Sequence, residues 1–257
     1  MKKINITITG ALGRMGKILI KKISKNENLR LLSLIDLKSG KTINNIKVQN
    51  NNLEAFKKTD VIIDFSKPAA SIEILKYAKK LKKKIIIGTT GFTKKQDNLI
   101  KNFSRKIAIF KSGNMSLGIN LLEYVVNILS KKIPSDYYIG ITDDHHKKKV
   151  DYPSGTALML AKAVSKAKNK NLELIKGKIF LNKKGYLQKN KVNFFITRKG
   201  NTVGKHSIIF NNKMENIELK HTAFSRELFA DGAINAAIWI SKKNKGLFNM
   251  QDMLGLK

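Results

Sequence analysis

Short runs of aliphatic and β-branched residues alternate with amphipathic segments through the first 115 residues. Strand-like runs occupy 4–9, 31–35, 61–64, 84–87 and 107–110, and helical periodicity covers 15–24, 69–81 and 94–103. Strands separated by helices at this spacing form right-handed crossovers and a parallel sheet covered on both faces. The pattern therefore predicts an α/β fold whose first half is a doubly wound parallel sheet.

The rhythm changes after about residue 137. One helical pattern at 154–167 is followed by the strand-like runs 192–197, 205–210 and 216–221, with turn residues between them. Strands without intervening helices indicate a mixed or antiparallel sheet. We expect two domains, 1–115 with 226–257 and 116–225, because the last helical pattern, 227–241, is expected to pack on the first domain.

Composition narrows the possible functions. The 257 residues include no cysteine, which excludes disulfides, thiolate metal sites and cysteine nucleophiles. No run approaches the roughly 18 apolar residues of a membrane span, so neither a membrane partner nor export is expected and the cytoplasm is the expected location.

The net charge of +33 suggests anionic partners, but its distribution does not favour nucleic acid. Lysines spread along the whole chain carry most of it, whereas phosphate forks and base readout favour arginine. The arginines are Arg14, Arg30, Arg105, Arg198 and Arg226. We interpret the charge as a lysine-coated surface.

A glycine-rich turn follows the first predicted strand. Gly10, Gly13 and Gly16 open the first helix, where free amides and the helix dipole can receive a pyrophosphate. Leu12 interrupts the common GxGxxG spacing, so a simple packing turn remains an alternative. Asp36 ends the second predicted strand, 20 residues after Gly16, where a carboxylate can bind an adenosine ribose.

Two further small-residue turns stand at later strand ends: Gly88-Thr89-Thr90-Gly91 and Ser112-Gly113-Asn114-Met115. Parallel sheets bind ligands at this edge, so these turns are candidates for cofactor contact, with ordinary Gly-rich turns as the alternative.

The segment 143–157 concentrates ionisable side chains. His145 and His146 are adjacent, Lys149 follows, and Pro153 and Ser154 mark a helix start. Amides of Gly155 and Thr156 can bind a carboxylate at that helix start. The combination suits a small di-acid substrate, although this segment by itself slightly favours a solvated basic loop before a capped helix. We expect no metal, because adjacent histidines point apart and no HExxH spacing occurs.

Motifs along nearly the whole chain resemble the 4-hydroxy-tetrahydrodipicolinate reductase family, formerly dihydrodipicolinate reductase, of the diaminopimelate route to lysine. They are GALGRMG at 10–16, DFSKP at 64–68, GTTGF at 88–92, SGNMSLGIN at 112–120, HHKKKVDYPSGTA at 145–157 and FADGA at 229–233. The resemblance implies a Rossmann-type domain and a second, mixed α/β domain that binds substrate and builds a homotetramer.

The resemblance also implies residue roles. It implies that His145 is the acid/base residue and that Lys149 is the proton donor. It also implies that His146, Gly155 and Thr156 hold the substrate. Contacts to NADH or NADPH are implied for Gly10, Ala11, Leu12, Gly13, Arg14, Met15, Asp36, Gly88, Thr89, Thr90, Ser112, Gly113, Asn114 and Met115. Hydride from the nicotinamide then enters the imine system of the substrate after its hydroxyl has left as water.

The chain departs from the family pattern in three ways. Leu37 stands where an arginine often meets the 2′-phosphate of NADPH, so we expect NADH to be usable and NADPH use to depend on Lys38. Asp143 replaces a glutamate, and the stretch 37–59 is shorter than usual.

Two alternative functions remain. One is another Rossmann reductase of a small di-acid, and the other is a catalytically inactive basic protein that binds NAD(P) or nucleic acid.

Overall fold

A computed structural model describes residues 2–256. The chain divides into two compact units: one runs up to Met115 and resumes at Glu227, and the other is Ser116–Arg226. Arg226, which was expected to begin the returning segment, groups with the second unit. Among the described residues, no helix combines the length and apolarity that a bilayer crossing needs.

The first unit begins with alternating strands and helices. In chain order they are β1 Ile4–Thr9, α1 Arg14–Ile23, β2 Leu29–Ile35, β3 Thr42–Ile43, β4 Ile46–Gln49, β5 Val61–Asp64, α2 Pro68–Lys80, β6 Lys84–Ile87, α3 Lys94–Ser104 and β7 Ala108–Lys111. A 3-10 turn, Glu54–Phe56, lies between β4 and β5. The small β3–β4 hairpin is antiparallel, and β1, β2, β4, β5, β6 and β7 pair in parallel.

The second unit contains a five-stranded mixed sheet. Its elements are α4 Leu117–Lys132, β8 Tyr138–His145, α5 Gly155–Ala167, α6 Leu172–Ile175, β9 Lys176–Leu181, β10 Val192–Arg198, β11 Gly204–Asn211 and β12 Asn216–Ala223. The strand order is β12-β11-β8-β10-β9. Strands β8, β10 and β9 pair in parallel, while β11 pairs antiparallel with both β8 and β12. Apolar side chains of the sheet and of α5 form this unit's core.

The chain then returns to the first unit. Helix α7 is Glu227–Ile240, β13 is Gly246–Phe248 and α8 is Met250–Met253. Strand β13 pairs in parallel with β7, which completes the order β13-β7-β6-β5-β1-β2-β4-β3. The doubly wound, Rossmann-type fold class is confirmed.

Helix α7 packs closely against the rest of the first unit. Trp239 packs edge-on against Phe110 and Phe248, with ring centroids 6.2 and 5.2 Å away. A Cβ on Gly232 would lie 1.7 Å from the carbonyl oxygen of Met115, so only glycine permits this approach. The contact holds the end of the turn Ser112–Met115 against the helix.

Candidate active site

The glycine turn of the first unit has the geometry of a phosphate-binding loop. Gly10 adopts φ +73°, and a Cβ there would lie 2.4 Å from the carbonyl oxygen of Phe65. The N–H of Gly13 donates to the carbonyl of Gly10 at 3.1 Å, and α1 begins at Arg14. Because its N-cap, Gly13, has no side chain, the first-turn amides of α1 are open to an anion.

Asp36 follows β2 and contacts the same turn. Its Oδ2 accepts a hydrogen bond from the N–H of Leu12 at 2.9 Å, and the N–H of Ala11 donates to the carbonyl of Ile35 at 3.1 Å. Oδ1, which lies 3.5 Å from the backbone nitrogen of Lys38, keeps a lone pair for a ribose hydroxyl. Leu37 is 81% exposed, so it leaves this region open.

A pocket of about 260 Å³ lies beside the glycine turn. Its lining brings together five of the expected cofactor residues and two that sequence reasoning did not place there. They are Arg14, Met15, Gly88, Thr89 and Thr90, joined by Phe65 and Ser66. The DFSKP motif was the available signal for Phe65 and Ser66, because it directly follows the buried strand β5.

A buried carboxylate ties the strand ends around this pocket. Asp64 accepts hydrogen bonds from the hydroxyls of Thr9 at 2.6 Å and Thr89 at 3.0 Å, and a further one from Ser71. Thr89 is only 5% exposed, so its hydroxyl supports the pocket wall, while Thr90 is exposed.

The turn after β7 is closed by its own hydrogen bonds. The hydroxyl of Ser112 donates to the carbonyl of Asn114 at 2.7 Å, and Gly113 is exposed. Met115 is 2% exposed, and its side chain belongs to the core. Any cofactor contact by Met115 must therefore use its backbone.

Asp143 is the centre of the ionisable cluster in the second unit. It lies two residues before His145 on β8, so both side chains point to one face of the sheet. Oδ1 of Asp143 lies 2.9 Å from Nδ1 of His145 and 3.2 Å from Nε2 of His206. Oδ2 accepts the backbone N–H of Ser154 at 2.7 Å.

Arg198 completes the cluster from β10, where it pairs in register with His145. Its Nη2 lies 3.1 Å from Oδ2 of Asp143, and its Nη1 donates to the carbonyl of Asp143 at 2.7 Å. The Arg198 side chain is 7% exposed and that of Asp143 is fully buried. Sequence reasoning missed both Arg198 and His206, since neither stands near the histidine pair in the chain.

The cluster sets the charge of its members. Burial raises the pKa of Asp143, but contacts with His145, His206 and the N–H of Ser154 outweigh it and hold the pKa well below its usual range. Burial lowers the pKa of His206, against the opposing effect of Asp143. At neutral pH, Asp143 is therefore an anion and His206 is a neutral imidazole.

Lys149 lies in the loop after β8. Its Nζ contacts both carboxylate oxygens of Asp151 at 2.8 Å, and its side chain is 22% exposed. The backbone N–H of Lys149 donates to the carbonyl of His146 at 3.0 Å, which makes a tight turn. The ammonium is therefore partly exposed, and its carboxylate partner is exposed.

Helix α5 begins directly beside the cluster. The hydroxyl of Ser154 accepts the N–H of Ala157 at 3.2 Å and lies 3.2 Å from Nε2 of His206. Gly155 is exposed and Thr156 is half-buried in the first turn. The structure thus places all five expected catalytic and substrate residues on one stretch of the second unit, from the end of β8 to the start of α5.

The side chains of Asp143, His145 and His206 offer three potential metal ligands within 4.8 Å of one another. However, the Arg198 guanidinium lies 3.1 Å from the same carboxylate and opposes a second cation electrostatically. We therefore interpret the group as a proton and hydrogen-bond network.

Family models identify both units. The model described as "Dihydrodipicolinate reductase, N-terminus" matches residues 4–115, and "Dihydrodipicolinate reductase, C-terminus" matches 118–254. The chain belongs to the dihydrodipicolinate reductase family. Members of this family are NAD(P)H-dependent oxidoreductases of the diaminopimelate route to lysine.

Curated relatives match this chain over nearly their full length. A 4-hydroxy-tetrahydrodipicolinate reductase of Pelagibacter ubique is 50% identical over 258 residues, which is 100% of both chains. One from Buchnera aphidicola is 44% identical, covering 98% of this chain and 97% of the relative. One from Bartonella quintana is 38% identical, covering 99% of both.

The fold is shared with solved structures. A dipicolinate-bound dihydrodipicolinate reductase from Paenisporosarcina sp. TG-14 superposes with a TM-score of 0.78 at 22% identity, covering 98% of this chain and 99% of that one. A DAP dehydrogenase of C. glutamicum shares the fold with a TM-score of 0.54 at 10% identity, covering 97% and 93%.

Proposed function

We propose that this chain reduces 4-hydroxy-tetrahydrodipicolinate to tetrahydrodipicolinate with NADH or NADPH. The observation that carries the proposal is the arrangement at the end of β8. There a buried Asp143 faces His145, and accessible Lys149 and the start of α5 follow within twelve residues of Asp143. This arrangement supplies an acid, a cation and an anion-binding helix end for a small di-acid.

The first unit fits a nicotinamide dinucleotide. The open amides of α1 suit the pyrophosphate, Asp36 suits the adenosine ribose, and the pocket beside Gly88 and Thr90 extends from the same turn. Ala11, Leu12, Asn114 and the other expected contacts are assigned to the cofactor in this proposal. When bound, the reduced nicotinamide supplies a hydride from its C4 atom.

The substrate carboxylates are held by His146, by Lys149 and by the amides of Gly155 and Thr156. The dipole of the 13-residue helix α5 favours negative charge at this end. A bound carboxylate displaces Asp151 from Lys149, so substrate binding exchanges one ion pair for another. This exchange orients the ring as well as binding it.

Protonation completes the reaction. After loss of the hydroxyl as water, hydride addition to the conjugated imine places negative charge on the resulting enamine. Lys149 delivers the compensating proton, and His145 assists it. Because Oδ1 of Asp143 lies 2.9 Å from Nδ1 of His145, the carboxylate favours a proton on that nitrogen, and we assign Nε2 to the acid/base role.

Assembly is the second part of the proposal. Four apolar side chains on α4 are between 38% and 47% exposed, a stripe that a second copy of the chain can cover: Leu117, Leu121, Val125 and Ile128. We assign a homotetramer built through the second unit, located in the cytoplasm and without a nucleic-acid partner. Sedimentation at several concentrations tests the assembly, and a salt titration against duplex DNA tests the nucleic-acid assignment.

The activity is tested by adding freshly generated hydroxytetrahydrodipicolinate to the pure protein and recording NADH absorbance. Substrate-dependent oxidation supports the proposal. Unchanged absorbance, together with intact NADH binding, would instead support the catalytically inactive alternative.

A further inference from the structure

One buried guanidinium contacts three separate parts of the second unit. Arg198 donates to the carbonyl and approaches the carboxylate of Asp143 on β8, at 2.7 and 3.1 Å. It also donates to the carbonyl of Asp151 in the following loop at 2.9 Å, and to that of Thr197 on its own strand at 2.9 Å. A planar, forked donor group is required to reach all of these acceptors together.

The contacts of Arg198 with Asp143 and with Asp151 each lead to a group of the proposed reaction. The carboxylate of Asp143 faces His145 and accepts the N–H of Ser154, which is the N-cap of α5. The side chain of Asp151, whose backbone Arg198 holds, pairs with Lys149. The acid/base histidine, the proton donor and the substrate-binding helix end thus share one anchor.

Removing the guanidinium would leave the fully buried Asp143 carboxylate without its cation. Among residues 2–256, the other titratable groups placed against this cluster are His145 on β8, the Lys149–Asp151 pair in the loop, and His206 on β11, which pairs in register with His221 on β12. None of them reaches both Asp143 and the Asp151 carbonyl in the way that Arg198 does.

We propose that Arg198 is a positioning residue for the reaction, acting through Asp143 on His145 and through Asp151 on Lys149. It touches neither substrate nor cofactor in this assignment. The inference rests on the proposed function, because it explains how the assigned acid/base groups are held.

The test compares Arg198→Lys, Arg198→Ala and the matched control Lys199→Met. Lys199 is the adjacent cation and is exposed, so its variant should keep wild-type kinetics. For Arg198→Ala, we expect kcat to fall about 10- to 100-fold, with the Kd for NADH unchanged, because the cofactor residues lie in the other unit. Arg198→Lys keeps the positive charge but lacks the forked guanidinium. Its kcat should therefore lie between that of Arg198→Ala and that of the wild type.

Two readouts separate positioning from a merely structural role. Guanidinium added to folded Arg198→Ala should restore part of kcat, and the pH profile of kcat should differ from that of the wild type. A folded Arg198→Ala with kcat within twofold of wild type would overturn the proposal. So would a lower kcat with an unchanged pH profile and no rescue by guanidinium. If Arg198→Ala does not fold, the same comparison is made with Arg198→Lys, where an unchanged kcat and pH profile would overturn it.

The proposal can also be tested without substrate. The chain has four histidines, so ring nitrogen resonances can be assigned by single substitutions. We expect Nδ1 of His145 to carry the proton in the wild type and this preference to weaken in Arg198→Lys. An identical tautomer population in both proteins would contradict positioning, whereas a wild type that fails to oxidise NADH would contradict the proposed function alone.

Discussion

Nδ1 of His145 lies 2.9 Å from Oδ1 of the fully buried Asp143. The family that the chain resembles usually has a glutamate at this position, and the shorter Asp143 still reaches the imidazole because the two residues share one face of β8. An aspartate is therefore long enough for the acid–imidazole contact in this chain.

The charge of Asp143 should matter for both stability and rate. Asp143→Asn keeps the size but leaves Arg198 buried without its anion, so we expect the free energy of unfolding to fall by about 3–5 kcal/mol. Denaturant titration measures this loss, and kcat should also decrease. The matched control is Asp144→Asn, on the opposite face of the strand; an equal loss there would contradict a specific role for Asp143.

Gly204 limits the space around His145. A Cβ at Gly204 would lie 3.2 Å from Nε2 of His145 and 3.4 Å from Cε1 of His206, so the rings must shift by a few tenths of an ångström. We expect Gly204→Ala to lower kcat by up to about tenfold, because small displacements of reacting groups are costly. Steady-state kinetics and NADH titration check this: an unchanged kcat, or a weakened NADH affinity, would contradict the prediction.

Acid should destabilise the second unit in two stages. Burial lowers the pKa of His206 and of His221 in the folded protein. As the pH falls, the unfolded state therefore takes up protons on these imidazoles before the folded state does. The free energy of unfolding, which has its full contribution from these groups above about pH 6.5, decreases as a result. Below about pH 4, Asp143 adds a further loss, because its folded pKa is held low.

Unfolding free energies between pH 8 and pH 5 test the first stage. His221→Asn should reduce the dependence on pH, since it removes one of the two imidazoles. A curve that is flat in the wild type, or unchanged by the substitution, would show that these histidines do not govern acid stability.

Cofactor choice should depend on Lys38. Leu37 is exposed and uncharged, so Lys38 is the nearest cation along the chain for a 2′-phosphate. Lys38→Ala should raise KM for NADPH about tenfold, which corresponds to the loss of one charge-assisted contact, and leave KM for NADH unchanged. Equal changes for both cofactors would remove Lys38 from this role.

The sequence predicts much of the fold because its strands are short runs rich in aliphatic and β-branched residues. Strands β1, β5 and β6 begin and end at the expected residues. The hairpin β3–β4 was missed because its turn is Asn44-Asn45, at φ 51° and 61°, within an asparagine-rich stretch that resembles a loop. Helix α4 was missed because apolar residues lie on both its buried and its exposed sides, which obscures the helical period.

The ionisable cluster of the second unit was predicted only where its residues are neighbours in the chain. The segment 143–157 supplies His145, Lys149 and the start of α5 together, so local motifs were enough. Arg198 and His206 reach the same cluster through strand pairing of β10 and β11 with β8, a register that no local pattern specifies.

The turnover of Lys149→Ala, measured beside its matched control Lys148→Ala, tests the assigned proton donor. Lys148 is the preceding, exposed lysine. With hydroxytetrahydrodipicolinate and NADH, the account predicts that kcat of Lys149→Ala falls about 100- to 10,000-fold, as expected for loss of a positioned acid, while Lys148→Ala stays near wild type. Equal, undiminished turnover in both folded variants would contradict the assignment of this loop as the catalytic centre.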